Sequence, residues 1–337
     1  MSTSLSKSEA GYITSALLAS PDPVRADGRG LLDFRSIAVE TSVAALANGS
    51  GRAVLGGTGS TNIGLGDPAS EAIVAARLEV EDIDSSSGVG LTCSVTCTPS
   101  AYPQHTMPQL DDLSSDLSAL LQQSLQSSAN ILAPQLIIIP KKKRWHLNLD
   151  AVIISDSGNI LDTLVIAARA ALWDLRVPRT RNLDFQRQTK RPTTDDAMEV
   201  DESKRDALGS AVKGSRVAKK PAGDFELEDY WDDGSPLKER ESLPVCVTLN
   251  LLPPVHFLDA VTQEERAVPT HIHMTFSFPT ADPADSILHN TRLVGPSEIP
   301  YTSIAPLIEA GEGYARRMNE ALNIKLKGDD RQRAAFA

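Results

Sequence analysis

The sequence predicts an α+β protein of mixed, mostly antiparallel sheets backed by helices. Three observations lead there. Short segments alternate apolar and polar residues with a period of two, as half-buried strands do. Three longer segments carry apolar residues at helical spacing. The order is strands, helix, two strands, helix, a charged stretch, then strands and a last helix.

Ser6-Lys7-Ser8-Glu9 is a capping box, followed by Ile13 and Leu17 on one helical face until Pro21 and Pro23 stop the helix. After the polar turn Arg25-Ala26-Asp27-Gly28-Arg29, strands are expected over 35–41, 51–56 and 71–80. In a further strand Leu91, Cys93, Val95 and Cys97 oppose Thr92, Ser94, Thr96 and Thr98. A helix is expected over 111–127, with Leu113, Leu117, Leu120, Leu121 and Leu125 as its stripe and Asp111 and Asp112 near its positive end. Strands follow at 135–139 and 144–154, then a turn at 155–159. Residues 160–175 are apolar on nearly every side, which predicts a helix buried between layers. Strands are expected again at 244–252, 255–260, 271–278 and 287–294, and a closing helix over 303–323.

This order divides the chain into an N-terminal helical extension (1–24), a first domain (25–178), a charged insertion (179–243) and a second domain (244–337). The insertion lacks apolar periodicity and is expected to be largely disordered, apart from an amphipathic island at 224–234.

Of 337 residues, 33 are Lys or Arg and 44 are Asp or Glu, a net charge of −11. That balance argues against a strong grip on nucleic acid by the chain alone. Only 4% aromatic residues argues against a base-stacking platform. No apolar run has the length of a membrane span, and the first residues lack the pattern of a signal peptide. A soluble intracellular protein with no membrane partner is expected. Cys93, Cys97 and Cys246 read as buried hydrophobes.

Gly56-Gly57-Thr58-Gly59-Ser60-Thr61 lacks the endings of phosphate-binding loops and reads as a glycine-rich hairpin turn. His271 and His273 share a strand face without a third ligand, so they read as polar residues on a solvated face, and neither metal nor cofactor is expected. Lys141-Lys142-Lys143-Arg144 is the dense basic run outside the insertion. It is a candidate RNA-phosphate contact, against the simpler reading of a solvated strand start. Lys190-Arg191 and Lys219-Lys220 could be read as nuclear-import signals.

Several of these segments, in this order, resemble the RNase PH superfamily, and its RNA exosome branch in particular. They are Arg25 to Arg29 with Phe34-Arg35 and Val39-Glu40-Thr41; Asn48 to Ala53; Trp145 to Asp150; Gly158 to Asp162; Leu243 to Thr248; and Leu258 to Glu265. The resemblance implies a two-lobed RNase PH-like fold and a place in a six-membered ring. Other RNase PH-like exosome subunits would be the neighbours, cap subunits and associated nucleases would sit on the ring, and RNA would be threaded through it. It further implies work in rRNA maturation and mRNA turnover, in nucleus and nucleolus and also in cytoplasm. Active members cleave by phosphorolysis, using an Asp-x-Gly-Ser/Thr-Arg loop before the long helix. Here that loop reads Asp156-Ser157-Gly158-Asn159-Ile160, and Ile160 can neither pair with nor neutralise phosphate. Ser242 stands where active members place an acid, and Gln123 and Gln126 where archaeal relatives grip RNA with arginines. With Asn159, Ile160 and Ser242 degenerate, the expectation is a structural, non-catalytic ring subunit. The rivals are a phosphorolytic 3′-to-5′ exoribonuclease with a rearranged site, and a stand-alone RNA-binding adaptor.

Overall fold

A computed structural model describes residues 5–19, 21–57, 69–83, 90–126, 132–183, 224–229, 234–279 and 285–336. They divide between two units, one within Met1–Pro178 and Asp233–Ala337, the other within Arg179–Asp232. None of the described helices is long and apolar enough to cross a membrane.

In the first unit, α1 (Lys7–Leu17) starts at the capping box, with Glu9 N donating to Ser6 Oγ at 3.2 Å and Ser6 N to Glu9 Oε2 at 2.8 Å. Strands β1 (Ile37–Thr41), β2 (Gly49–Leu55), β3 (Ser70–Asp82) and β4 (Leu91–Cys97) follow. Gly56 and Gly57, at φ 98° and 77°, turn the chain out of β2 towards its antiparallel neighbour β3; the rest of that glycine-rich stretch lies outside the described residues. Helix α2 (Met107–Leu125) begins four residues before the expected Asp111. Thr106 caps it, with its N–H donated to Gln109 Oε1 at 2.9 Å, and Pro108 sits in the first turn, where no N–H is needed.

After a 3₁₀ turn at Ala133–Gln135 come β5 (Ile137–Ile139), β6 (Lys143–Ser155), α3 (Ile160–Asp174) and β7 (Arg176–Val177). The first sheet runs β1-β2-β3-β6-β4, with β5 also on β6. Every pairing in it is antiparallel except β4 with β6. The alternation read from β4 and β6 is the observed burial: odd residues inside, even residues outside.

Helix α3 is buried from Leu161 to Trp173 and packs on β2 and β3 on one side and the second sheet on the other. Small residues let it lie close. A Cβ on Gly51 of β2 would come within 2.6 Å of the Ala167 carbonyl and the Ala171 N–H of α3. The free edge of β4 is closed by α2. Cys93, Val95 and Cys97 N–H donate to Gln122 Oε1 (2.8 Å), Ser118 Oγ (2.9 Å) and Ser114 Oγ (3.1 Å). These three residues are one helical stripe, spaced by four.

The second unit holds β8 (Thr180–Leu183) paired antiparallel with β9 (Asp224–Leu227). The second strand of this ladder falls within the amphipathic island expected at 224–234, and cross-strand pairing holds it to Thr180–Leu183, where no periodicity announces a strand. Residues 184–223 and 230–233, with Lys190-Arg191, Lys219-Lys220, Tyr230 and Trp231, lie outside the described residues.

Back in the first unit, β10 (Ser235–Pro236) pairs with β7, and a 3₁₀ turn at Arg240–Ser242 leads into the second sheet. That sheet comprises β11 (Val245–Leu252), β12 (Val255–Leu258), β13 (His271–Ser277) and β14 (Ile287–Val294), in the order β12-β11-β13-β14 and antiparallel throughout. A short helix α4 (Thr262–Ala267) follows β12, and α5 (Tyr301–Phe336) ends the chain.

Helix α5 runs well past the expected residue 323. The buried Leu326 carries its apolar stripe one turn beyond Leu322, and polar anchors then take over: Lys327 to Glu241 (2.8 Å), Asp330 to Trp173 Nε1 (2.9 Å) and Arg333 to Asp174 (2.6 Å). The histidine pair also corrects the sequence reading. His271 and His273 are not on a solvated face: their rings lie 4.7 Å apart, and His273 Nδ1 is 2.9 Å from Thr248 Oγ1. Burial pushes His273 down to about 3, so it is neutral. No cluster of three metal-ligating side chains occurs among the described residues. The three cysteines are free and buried.

Candidate functional site

The loop between β6 and α3 is where the sequence places a phosphate-binding turn, and its geometry is tightly fixed. Asp156 Oδ1 accepts from Gly158 N at 2.9 Å. Gly158 has φ 97°, and a Cβ there would collide with the Ala260 carbonyl and come within 2.8 Å of Thr262 N. Asn159 is left-handed (φ 57°, ψ 43°), a conformation asparagine tolerates, and it aims the chain into α3 at Ile160.

The N-terminus of a helix attracts anions through its unpaired N–H groups and the helix dipole. Here that place is filled from within. Asn159 N donates to Glu265 Oε1 of α4 at 2.7 Å. Burial, reinforced by the nearby Asp156 and Asp259 charges, pushes the Glu265 carboxyl up to about 7 against the opposing pull of Asn159 N–H and Arg35. One turn into α3, Asp162 is fully buried and accepts from Thr248 N (3.1 Å) and Thr248 Oγ1 (2.8 Å); burial pushes it up to about 6. Its bonds are all to its own fold.

The arginines near the loop are equally engaged. Asp259, with no exposed side-chain surface, accepts from Arg29 Nη1 (2.8 Å), Arg35 Nη2 (2.7 Å) and the Arg35 backbone N–H (2.7 Å). Arg35 spends its other donors on the Ser157 (3.2 Å) and Gly158 (2.9 Å) carbonyls. Arg25 forks onto Glu264, with Nε to Oε1 at 3.0 Å and Nη2 to Oε2 at 2.6 Å, and also donates to the Asp259 carbonyl. Arg25 and Arg29 of the turn thus hold the end of β12 and the start of α4, and Arg35, just before β1, ties Asp259 to the glycine loop. An incoming phosphate would have to displace Glu265 and compete with Asp259 for Arg35.

The other sequence-predicted positions fall elsewhere. Ile160 is half-buried and packs on the hydrophobic core. The structure does not bring Ser242 to the glycine loop. It donates to Glu239 O at 2.7 Å, and its neighbours' carbonyls, Glu241 O and Leu243 O, accept from Arg169. Arg169 is nine residues beyond Ile160, about 13 Å along α3. Lys141, Lys142, Lys143 and Arg144 form the β5–β6 turn and the start of β6. Arg144 is ion-paired to Glu81 at 2.8 Å, which removes one charge from that patch. Gln123 and Gln126 are exposed at the end of α2. What the sequence reading missed are Asp259 and Glu265, which reach Asn159 from 100 and 106 residues away. Both lie in the Leu258–Glu265 run that carries part of the family resemblance, a signal of likeness but not of contact.

Residues 33–178 match the model of the 3′ exoribonuclease family, domain 1 (RNase PH). The chain is similar to the exosome complex component Rrp42 of Methanothermobacter thermautotrophicus, 35% identical over 157 residues, which are 46% of this chain and 53% of that protein. The match to the Rrp42 component of Sulfurisphaera tokodaii is 31% over 179 residues, covering 52% of this chain and 59% of the relative. These matches span little more than half the length of either relative. A putative exosome complex exonuclease RRP42 of Dictyostelium discoideum matches over 72% of this chain and 76% of its own, at 23% identity. In structure, the chain resembles an archaeal exosome core (TM-score 0.60, 19% identity, covering 94% of this chain and 96% of the other). It also resembles the Archaeoglobus fulgidus exosome with RNA bound to the active site (TM-score 0.62, 19% identity, 93% and 97% covered). At those identities the likeness shows the fold alone, an α+β fold shared with these exosome-core chains.

Proposed function

We propose that this chain is a non-catalytic, structural ring subunit of an RNA exosome, supporting 3′-to-5′ RNA processing and degradation. Its neighbours would be other RNase PH-like subunits, with cap subunits and nucleases seated on the ring and RNA passing through it. The observation that carries the silent reading is Glu265 on the Asn159 N–H. Phosphorolysis needs phosphate held and its charge neutralised beside the scissile bond. Here the anion position is occupied by the chain's own carboxyl, Ile160 stands in place of a cation, and Arg35 is already paired to Asp259. The similarity to Rrp42 components supports the ring assignment.

The test is release of nucleoside diphosphates from an RNA 3′ end by the purified chain in the presence of inorganic phosphate. None is expected. Phosphate-dependent release that survives repurification would overturn the silent reading and favour a rearranged phosphorolytic site.

A further inference from the structure

The two edges of the first sheet are treated differently. At β4, the N–H groups of Cys93, Val95 and Cys97 are taken by side chains of α2. At the opposite edge, β1 pairs only with β2 among the described residues. Gly56 N donates to Ser36 O, and Ser42 N to Ser50 O. In that antiparallel register Ala38 and Glu40 exchange bonds with β2, while the N–H and C=O groups of Ile37, Val39 and Thr41 point away from it. Nothing among the described residues hydrogen-bonds those outward groups. The strand has no proline, no bulge and no lysine to discourage pairing, and its single charge, Glu40, reaches back to Arg52 at 3.0 Å.

Beside this open edge runs α5. Between them is an apolar cavity of about 280 Å³, lined by Phe34, Ile37 and Val39 on the strand side and Met318 and Leu322 on the helix. Because Ile37 and Val39 line it, a strand added to β1 would send alternate side chains into it and the others outward beside Ala38 and Glu40. Arg317 stands at the cavity wall, exposed and without an ion pair among the described residues. Farther along α5, Lys325 pairs with Asp329, Lys327 with Glu241 and Arg333 with Asp174, and Arg333 also donates to Thr41 Oγ1 at the far end of β1.

We propose that the β1 edge and the α5 cavity form a docking site for an extended segment of another polypeptide. That segment alternates apolar side chains and carries an acidic residue opposite Arg317, and it adds to the sheet as a further strand beyond β1. Main-chain hydrogen bonds to Ile37, Val39 and Thr41 hold it, the cavity selects its apolar residues, and Arg317 selects its charge. The site is independent of the Glu265-filled loop, so it stands or falls apart from the catalytic reading.

The full chain is titrated with a fluorescein-labelled peptide of about eight residues that alternates valine with glutamate and threonine. Anisotropy should report saturable binding. N-methylation of the alternate peptide amides that face β1 should weaken it about tenfold. Ala321→Trp, at an exposed helix position bordering the cavity, should weaken it comparably while leaving the urea midpoint unchanged. Arg317→Glu should weaken the glutamate peptide several-fold and favour a lysine-substituted one. The proposal is overturned by absence of binding, by binding indifferent to N-methylation, or by binding insensitive to both variants. A dimer of the chain alone that Ala321→Trp dissociates would assign the site to a second copy and overturn the peptide assignment.

Discussion

Glu265 titrates against the usual sense for a carboxylate. Its folded value, about 7, lies above its ordinary 4.5, so the folded state holds the proton more tightly than the unfolded one. Stability from this group is therefore greatest at low pH, falls as pH rises from about 4.5 to 7, and is flat above. Between pH 8 and pH 6 the wild-type chain should gain about 1 kcal/mol from it. Glu265→Gln keeps an oxygen for the Asn159 N–H and removes the buried charge. Urea unfolding at both pH values should show that gain in the wild type and its absence in the variant. Equal pH responses would place the titration elsewhere. Asp259 is held by two arginines, Arg29 at 2.8 Å and Arg35 at 2.7 Å. Asp259→Ala leaves Arg29 and Arg35 with a buried vacancy between them, and a loss of about 3–5 kcal/mol is expected. A midpoint shift worth under about 1 kcal/mol would show that these ion pairs are not what joins β1 to the glycine loop.

Among the elements, β4 shows how a sheet ends without another strand. Replacing Ser114, Ser118 and Gln122 together by Ala leaves the Cys93, Val95 and Cys97 N–H groups without their partners. We expect a loss of at least about 2 kcal/mol in urea unfolding, and a new concentration-dependent association seen by light scattering. A stable monomer would mean that water serves that edge as well as the serines do. The ladder itself was not legible in the sequence. Leu117, Leu121 and Leu125 announce the helix, but nothing in α2 says that its serines face a strand. Alternation located β3, β4 and β6 because one face of each is buried and the other is more open, whereas β11 is buried on both faces and reads as a short apolar run. It failed for α4, six residues being too short for a period, and for the end of α5, which ion pairs hold instead of an apolar stripe. The glycine loop and Ile160 were visible through family resemblance. Glu265 as its occupant was not, since only the fold brings α4 beside α3.

For the molecule as a whole, the question is which surfaces a lone chain leaves uncovered. A closed head-to-tail ring needs two different faces on each subunit. Strand β14 supplies one candidate: among the described residues it pairs only with β13, and Ile287, Leu288 and Leu293 are 47%, 38% and 46% exposed. An open strand edge bearing exposed apolar residues promotes association. The net charge of −11 opposes it through repulsion between copies, and salt screens that repulsion. The isolated chain should therefore self-associate more as ionic strength rises, the reverse of what an ion-paired contact would do. Leu288→Lys with Leu293→Lys should return the scattering mass to the monomer's 36.1 kDa at every salt concentration. Because both side chains are already exposed, the urea midpoint should stay within about 0.5 kcal/mol of the wild type. If the same double variant also fails to form a heterodimer with an RNase PH-like partner that the wild type accepts, β14 is a face of the proposed ring. Association that is unchanged in the variant, or that weakens with salt, would place the contact on a charged surface away from this edge.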